Sequence, residues 1–477
     1  MSDIILIKPP LLGEEIYGEM SDVGAYDPPL GLAYLAANLR RSQISVEIID
    51  ASATRLTCDD VVSLVVEKAP RYVGITAVTL DIYNAAQLAH KIKQKNKESI
   101  TIIGGVHLTA VPGETMEKFP QFDIGVIGEG ETTLVEVIQA LNGNINLNTV
   151  NGLVYRYNGE IIFTQPRKLN YNLDSYPPPA WDIIPGFPQN YPVPPYSTSN
   201  SPSCSMVTSR GCGRRCTFCF QGTMGRALRF HSEEYVLDVI KHLYHHYGIR
   251  NLRFVDDQFL ANKNRTEKIC TLLIKEKLDL TFSCIARIDT INPQLLRLLK
   301  RAGCQQINFG IESGSQRILD LIKKDVELDE IFKAVKWTHE EGIRTLGYFM
   351  IGFPTETEET IRESITFAKR LPLDDISFFL LTPFPGTELY QSVHQYGIFK
   401  NDWKSMSLFV EPCFIPHGLT KEKILTYRKK AILQFYLRPR IIFSYLRRIK
   451  SMTHIKILLK GFFTVIRLLI TKSRSDK

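Results

Sequence analysis

The sequence predicts an α/β protein in three parts: an N-terminal doubly wound parallel sheet, an open (β/α)6 partial barrel, and a helical C-terminal region. Three observations carry that prediction. Short β-rich runs alternate with helix-length stretches twice, once up to residue 141 and again from residue 206, and such alternation builds parallel sheets. Between the two series the chain changes to a tight hairpin and a proline-rich stretch. Finally, 477 residues exceed what one core sustains, so roughly two to four domains are expected.

Composition narrows the class. The 44% hydrophobic and 23% charged fractions are those of a folded soluble chain. A net charge of +8 is modest for this length, with much of the excess at the C-terminal end, and no nucleic-acid partner is expected. No apolar run approaches the roughly 18 residues that a membrane span needs. Met1-Ser2-Asp3 opens no secretory signal, and nine cysteines are sparse and odd in number for a disulfide framework. A cytoplasmic location is therefore the expectation.

In the first series, strands are expected at residues 4–7, 46–49, 72–76, 100–103 and 124–127, with helices at 30–42, 59–68, 81–95 and 131–141. Ligands of such sheets bind beyond the carboxyl ends of the strands. Those ends carry Thr76, then Gly104-Gly105-Val106-His107, then Gly128-Glu129-Gly130-Glu131. Glycine lets the backbone approach a ligand, although βα turns also use it for geometry alone. There is no GxGxxG, which disfavours a dinucleotide.

Residues 154–157, Asn158-Gly159 and residues 161–164 read as a β-hairpin. Eight prolines come next, from Pro177-Pro178-Pro179 to Pro194-Pro195, with Tyr191 and Tyr196. This is a semi-rigid linker that separates two domains or drapes over a site. The second series then places strands at 206–209, 252–255, 281–286, 306–311, 345–351 and 376–381, with helices at 233–247, 265–276, 293–301, 315–322, 328–341 and 356–370. Six units are too few for a closed eight-stranded barrel. Residues 400–477 mix Arg and Lys with Leu, Ile and Phe at helical spacing, notably at 438–443 and 455–470. They form either a helix packed on the barrel or a basic amphipathic helix on a membrane surface.

The first barrel strand runs into Cys212, Cys216 and Cys219, a CxxxCxxC on a basic, glycine-bearing loop. Three thiolates so close together can hold three irons of a [4Fe–4S] cluster and leave the fourth iron to an external molecule. A zinc site would need a fourth ligand such as Cys204 or His231, in a spacing that fits no common zinc pattern. The other five cysteines read as small core residues.

With Phe218 before the last cysteine, this motif resembles the radical S-adenosylmethionine (SAM) enzymes. The N-terminal third resembles the cobalamin-binding domain of the B12-dependent members through Pro9-Pro10, Pro29-Leu30-Gly31-Leu32, Asp50 and the two glycine turns. The resemblance implies domains at 1–145 (cobalamin-binding), 146–202 (hairpin and linker), 203–400 (radical SAM core) and 401–477 (C-terminal region). It implies cobalamin contacts at Thr76, Gly104, Gly105, His107, Gly128, Glu129 and Gly130. No DxHxxG is present, so no residue is an evident lower ligand to cobalt, and His107 is not assigned to the metal. On the SAM side it implies Phe218 near the adenine, Asp256 and Asp257 at the methionine ammonium, Arg287, and Glu312 and Ser313 toward the ribose and carboxylate. Gly352 and Pro383 lie in the family's later strand-end segments, where Thr355 departs by standing at a usual glycine. Several of these polar residues precede helices, and capping is the other reading of each.

The same resemblance implies reductive cleavage of SAM to a 5′-deoxyadenosyl radical, hydrogen abstraction from an unactivated carbon, and methyl transfer through cobalamin. A non-methylating oxidative cyclase of the magnesium-protoporphyrin ester type uses the same domains. A cobalamin-holding redox or sensor module is the reading from another class. The implied partners are a small-molecule substrate, hydrophobic if the C-terminal region lies at the inner face of the membrane, and a reducing donor such as flavodoxin or ferredoxin.

Overall fold

The protein was analysed as a computed structural model, which describes residues 2–18, 21, 24, 26–192 and 202–447. The first sheet contains β1 (Ile4–Lys8), β2 (Val46–Asp50), β3 (Tyr72–Thr76), β4 (Ile100–Gly104), β5 (Ile124–Val126), β6 (Leu153–Tyr157) and β7 (Glu160–Phe163). Its order is β2-β1-β3-β4-β5-β6-β7, with the first five strands parallel. Strand β1 shows why the sheet is doubly wound. Ile4 and Leu6 enter one core with Leu32, Leu39, Val137 and Ile138, whereas Ile5 and Ile7 enter a second with Val61, Val65, Ala85 and Ile92. Successive side chains of a strand point to opposite faces, so an unbroken apolar run must be covered on both.

The expected hairpin forms, and its turn residues Asn158 and Gly159 both have positive φ (51° and 85°), as a two-residue turn between strands requires. Strand β6 pairs antiparallel with β5. The first sheet therefore runs on to Phe163, past the boundary at 145 that the resemblance suggests.

The second sheet contains β8 (Ser203–Met206), β11 (Asn251–Phe254), β12 (Thr281–Ala286), β13 (Cys304–Glu312), β14 (Arg344–Ile351) and β15 (Asp375–Leu380), parallel throughout. Its order is β15-β14-β13-β12-β11-β8, and the two edge strands do not pair. This is the open six-stranded barrel. Two short strands, β9 (Ser209–Arg210) and β10 (Arg229–Phe230), pair antiparallel and close the base of the cysteine loop. The first barrel strand lies earlier than the expected 206–209: Thr208 gives its amide and hydroxyl to Asp256, and Ser209 gives its hydroxyl to Asp256 and its backbone to the β9–β10 pair. Side-chain caps start the flanking helices: Ser232, Asn262, Asn292 and Thr357 each accept a backbone N–H of the first turn, contributing about 1 kcal/mol apiece.

Beyond the barrel, β16 (Gly397–Phe399) and β17 (Phe414–Pro416) form a ribbon, and the helix Lys421–Tyr436 packs on β15, its Tyr436 hydroxyl accepting from Ile376 N at 3.2 Å. That part of the C-terminal region is packed. The next helix, Pro439–Arg447, leaves Ile442, Phe443 and Leu446 exposed. The basic apolar run at 455–470 and linker residues Pro194, Pro195 and Tyr196 lie outside the described residues. No helix among the described residues is long and apolar enough to cross a membrane.

Candidate active site

The carboxyl ends of β1, β3, β4 and β5 surround a cavity of about 290 Å³. Six of the seven residues expected on the cobalamin side line it: Thr76, Gly104, Gly105, Gly128, Glu129 and Gly130. Its far wall comes from the segment that carries the cysteine loop, through Arg210, Thr223 and Met224, the last two just beyond the cysteines. The cleft thus lies between the first sheet and the cysteine loop.

The two adjacent glycines differ in role. A Cβ on Gly105, at φ 100°, would meet Ala77 O at 2.6 Å and Thr76 Oγ1 at 2.8 Å, so glycine there satisfies the protein's own packing. At Gly104 the nearest atom would be 3.9 Å away. That position is open toward the cavity, and it is where glycine leaves room for a ligand.

His107 is the exception among the expected contacts. It does not line the cavity; it is fully buried, with Nδ1 3.2 Å from Thr79 Oγ1 and its ring against Trp403 at 4.4 Å. Burial, reinforced by the Lys118 cation, holds its pKa down to about 4, so it is a neutral packing residue. Lys8 and Asp81 do line the cavity, although the sequence reading passed over them. Lys8 ends a strand beside Pro9-Pro10, which was a legible signal; Asp81 opens a helix and carried none. Burial pushes the Asp81 carboxyl up to about 7, against the Val78 N–H that donates to it at 2.7 Å.

At the barrel mouth, Cys212 and Cys216 are half-buried and Cys219 is exposed. Gln258 donates to Cys212 Sγ at 3.5 Å. Cys216 and Cys219 share a hydrogen bond that, helped by Lys324 and Arg287, holds the Cys216 thiol down to about 6; the same bond and desolvation push Cys219 up. Cations beside thiols favour the thiolates that bind metal. Among the described residues no three His, Cys, Asp or Glu side chains converge closely enough for a single ion. The zinc alternative also lacks its fourth ligand. Cys204 is buried in β8, and His231 is stacked on Tyr235 at 4.0 Å with Nδ1 2.9 Å from Asp174. Three free thiols on one loop, with cations and an amide donor around them, fit a polynuclear cluster instead.

The strand-end residues divide into two groups. Glu312 ends β13 at φ 67° and pairs with Lys324 Nζ at 2.7 Å, both nearly buried. A non-glycine residue in that conformation is strained, and such strain gathers at functional sites. Arg287 binds Asp289 through Nε (3.0 Å) and donates to Lys324 O at 3.0 Å. Asp257 is solvent-accessible, yet enough protein surrounds it to raise its carboxyl above the ordinary value. Phe218 packs edge-on against Phe353 at 6.2 Å, next to Gly352 at φ 102°, and Pro383 is buried in the segment after β15.

Asp256 and Ser313 face the protein. Asp256 Oδ1 accepts from Thr208 N (2.8 Å), Thr208 Oγ1 (2.8 Å) and Ser209 Oγ (2.6 Å), so this oxygen props the strand that leads to the cysteines, while Oδ2 is buried and finds no hydrogen-bond partner among the described residues. Ser313 is fully buried and bonds Ser364 Oγ at 3.1 Å. Gln258 and Lys324 are residues the sequence reading missed. Gln258 comes directly after Asp256-Asp257, whereas Lys324 sits twelve residues beyond Glu312 on a different segment.

Comparison with known proteins agrees with this geometry. Residues 206–368 match the radical SAM superfamily, and residues 20–138 match the B12 binding domain. An uncharacterized methyltransferase of Pyrococcus horikoshii is 36% identical over 426 residues, covering 88% of this chain and 90% of its own. The anaerobic magnesium-protoporphyrin IX monomethyl ester cyclase of Rubrivivax gelatinosus is 27% identical over 425 residues, covering 86% and 75%. The fold is shared with the cobalamin-dependent SAM radical enzyme OxsB, solved with aqua-cobalamin and SAM bound, at a TM-score of 0.76 and 18% identity over 98% of this chain and 71% of that one. With cysteine loop, open barrel and glycine-edged cleft in one chain, this protein belongs to the cobalamin-dependent radical SAM enzymes, whose cofactors are a [4Fe–4S] cluster, SAM and cobalamin.

Proposed function

We propose that this enzyme methylates an unactivated carbon of a small molecule. One observation carries the reading: the cavity at the first sheet is walled on its far side by Thr223 and Met224, four and five residues beyond Cys219, which supports a common cleft for the two cofactors. When bound, the cluster supplies the electron that cleaves SAM, and the corrinoid supplies a carrier for the methyl group. The chain's own residues bind and orient. Cys212, Cys216 and Cys219 would hold the cluster, with Gln258 hydrogen-bonding the first sulfur and Lys324 and Arg287 offsetting thiolate charge. Asp257, exposed just beyond β11, would take the SAM ammonium through a charge-assisted hydrogen bond. Glu312, fixed by Lys324, would face the ribose, and Phe218 the adenine. Gly104, Gly128 and Gly130 would let the corrinoid approach the backbone, and the dry walls of Leu6, Leu32, Leu35 and Leu134 would exclude water.

The domains we assign are a cobalamin-binding unit that includes the hairpin, a proline-rich connection, a radical SAM core and a C-terminal region. A reducing donor of the flavodoxin or ferredoxin kind would approach the exposed Cys219 edge. Residues 437–477 carry eleven Lys and Arg against a single Asp, more positive charge than the net +8 of the whole chain. Together with exposed Leu437, Ile442, Phe443 and Leu446, this favours an anionic lipid surface as the docking partner of that end and a hydrophobic substrate.

The test is anaerobic incubation of reconstituted enzyme with methyl-labelled SAM, reductant and cell extract. Labelled product together with 5′-deoxyadenosine supports methyl transfer. Deoxyadenosine with no label in any product would favour the cyclase reading, which the 27% identical relative keeps in play. Neither product would overturn both.

A further inference from the structure

Four buried charges join the first sheet to the cysteine loop. Glu129 lies between Gly128 and Gly130 in the turn after β5, and Glu131 begins the next helix. Arg210 and Arg229 face each other across the β9–β10 pair that closes the cysteine loop. Glu129 grips Arg229 with both oxygens, at 2.8 and 2.9 Å, and its Oε1 lies 3.2 Å from Arg210. Glu131 bonds Arg210 at 2.6 Å. The side chains are between 0 and 8% exposed. Arg229 also donates to Asn170 O at 2.9 Å and Met224 O at 2.6 Å, and the Arg210 guanidinium lies over the rings of Tyr34 and Tyr176.

Two positive and two negative groups are thereby balanced away from water, an arrangement in which losing one partner strands another charge. The carboxylates come from the turn that edges the cavity, and the guanidinia from the two ends of the loop that bears the cysteines. Arg210 is two residues from Cys212. The residue between them, Gly211, sits at φ 89° where a Cβ would lie 2.2 Å from Ala227 O, so the base of the loop has no slack. Displacing Arg210 must displace Cys212.

We infer that Glu129 and Glu131 are positioning residues for the cysteine loop, which through Arg210 and Arg229 couple occupation of the first-sheet cavity to cluster binding. The inference rests on the reading that a corrinoid occupies that cavity. Coupling between two sites is reciprocal: if the corrinoid settles the loop in its cluster-binding geometry, the cluster must raise corrinoid affinity by the same factor.

Hydroxocobalamin is titrated anaerobically into the full-length chain, with and without its reconstituted cluster, for the parent, Glu129→Gln and Glu131→Gln. The parent should bind at least about fivefold more tightly with the cluster present, the lower end of ordinary allosteric coupling. Glu129→Gln, whatever its effect on the absolute affinity, should bring this ratio toward one. Glu131→Gln, which releases only Arg210, should lower the ratio partway and serves if Glu129→Gln does not fold. Equal affinity with and without cluster in the parent, or an undiminished ratio in the variants, overturns the coupling while leaving the cavity assignment standing. Glu129→Gln losing hydroxocobalamin equally in both forms would make Glu129 a plain corrinoid contact and also overturn it. Failure of the parent to bind hydroxocobalamin at all would overturn the cavity assignment and the coupling with it.

Discussion

Asp256 is buried and its neighbour Asp257 exposed, and replacing each by Ala tests the separate roles proposed for them. Asp256 accepts three hydrogen bonds at one oxygen from residues 47 and 48 positions away. Bonds to a charged acceptor contribute roughly 1.5–3 kcal/mol each, and their loss leaves the Thr208 amide and two hydroxyls unpaired. Against this stands the cost of a fully buried carboxylate, visible in its raised pKa. The net loss in Asp256→Ala should be about 3 kcal/mol, which for a domain of this size lowers Tm by about 6–12 °C. Because Thr208 and Ser209 lead into the cysteine loop, cluster retention should fall with it. Among the described residues Asp257 has no hydrogen-bond or ion-pair partner, and its replacement should change stability by less than about 0.5 kcal/mol. Removing its charge-assisted bond to SAM should weaken SAM binding at least about tenfold, equivalent to about 1.4 kcal/mol. Anaerobic thermal unfolding, iron content and SAM cleavage at limiting SAM read the three quantities. The reverse pattern, a stable Asp256→Ala that loses SAM affinity beside an unstable Asp257→Ala, would refute the division of roles.

Other consequences can be checked separately. Gly104→Val, whose side chain would enter open space, should abolish hydroxocobalamin uptake with little change in Tm, whereas Gly105→Val should lower Tm because it collides with Ala77; circular dichroism melts beside absorbance titrations decide. Asp81 is held near a pKa of about 7 when folded and titrates near 3.9 when unfolded. The unfolded chain loses this proton first, so stability should fall as pH rises through that window by about 1.4 kcal/mol per pH unit. Asp81→Asn should remove that slope in denaturant titrations. Thr355, at φ 58° in the left-handed region that favours glycine, bears a backbone cost of roughly 1–2 kcal/mol, partly offset by the Arg317 bond to its hydroxyl at 2.9 Å. Thr355→Gly should raise stability by under about 1 kcal/mol, and a fall in Tm would count against the strain. Removing residues 437–477 should abolish flotation with anionic vesicles and leave binding to zwitterionic vesicles unchanged.

Much of this protein was legible in the chain itself, because its signals are local. Apolar runs such as residues 4–7 and 100–103 announce buried strands, Asn158-Gly159 announces a hairpin, and three cysteines within eight residues form one site whatever surrounds them. The six glycine-turn and strand-end positions that line the cleft belong to the same kind, since a βα unit places its carboxyl-terminal turn at a known edge. Tertiary structure alone decided which polar groups were already spoken for. Asp256 and Asp257 are indistinguishable as letters, and only packing directs one into Thr208 and Ser209 and the other outward. His107 reads as a ligand-side histidine until Trp403, nearly 300 residues later, closes over it. Lys324, Arg210 and Arg229 meet their carboxylates across 12, 79 and 100 positions. No periodicity encodes those pairings: burying a charge demands a partner, but the sequence does not say which one the fold will bring.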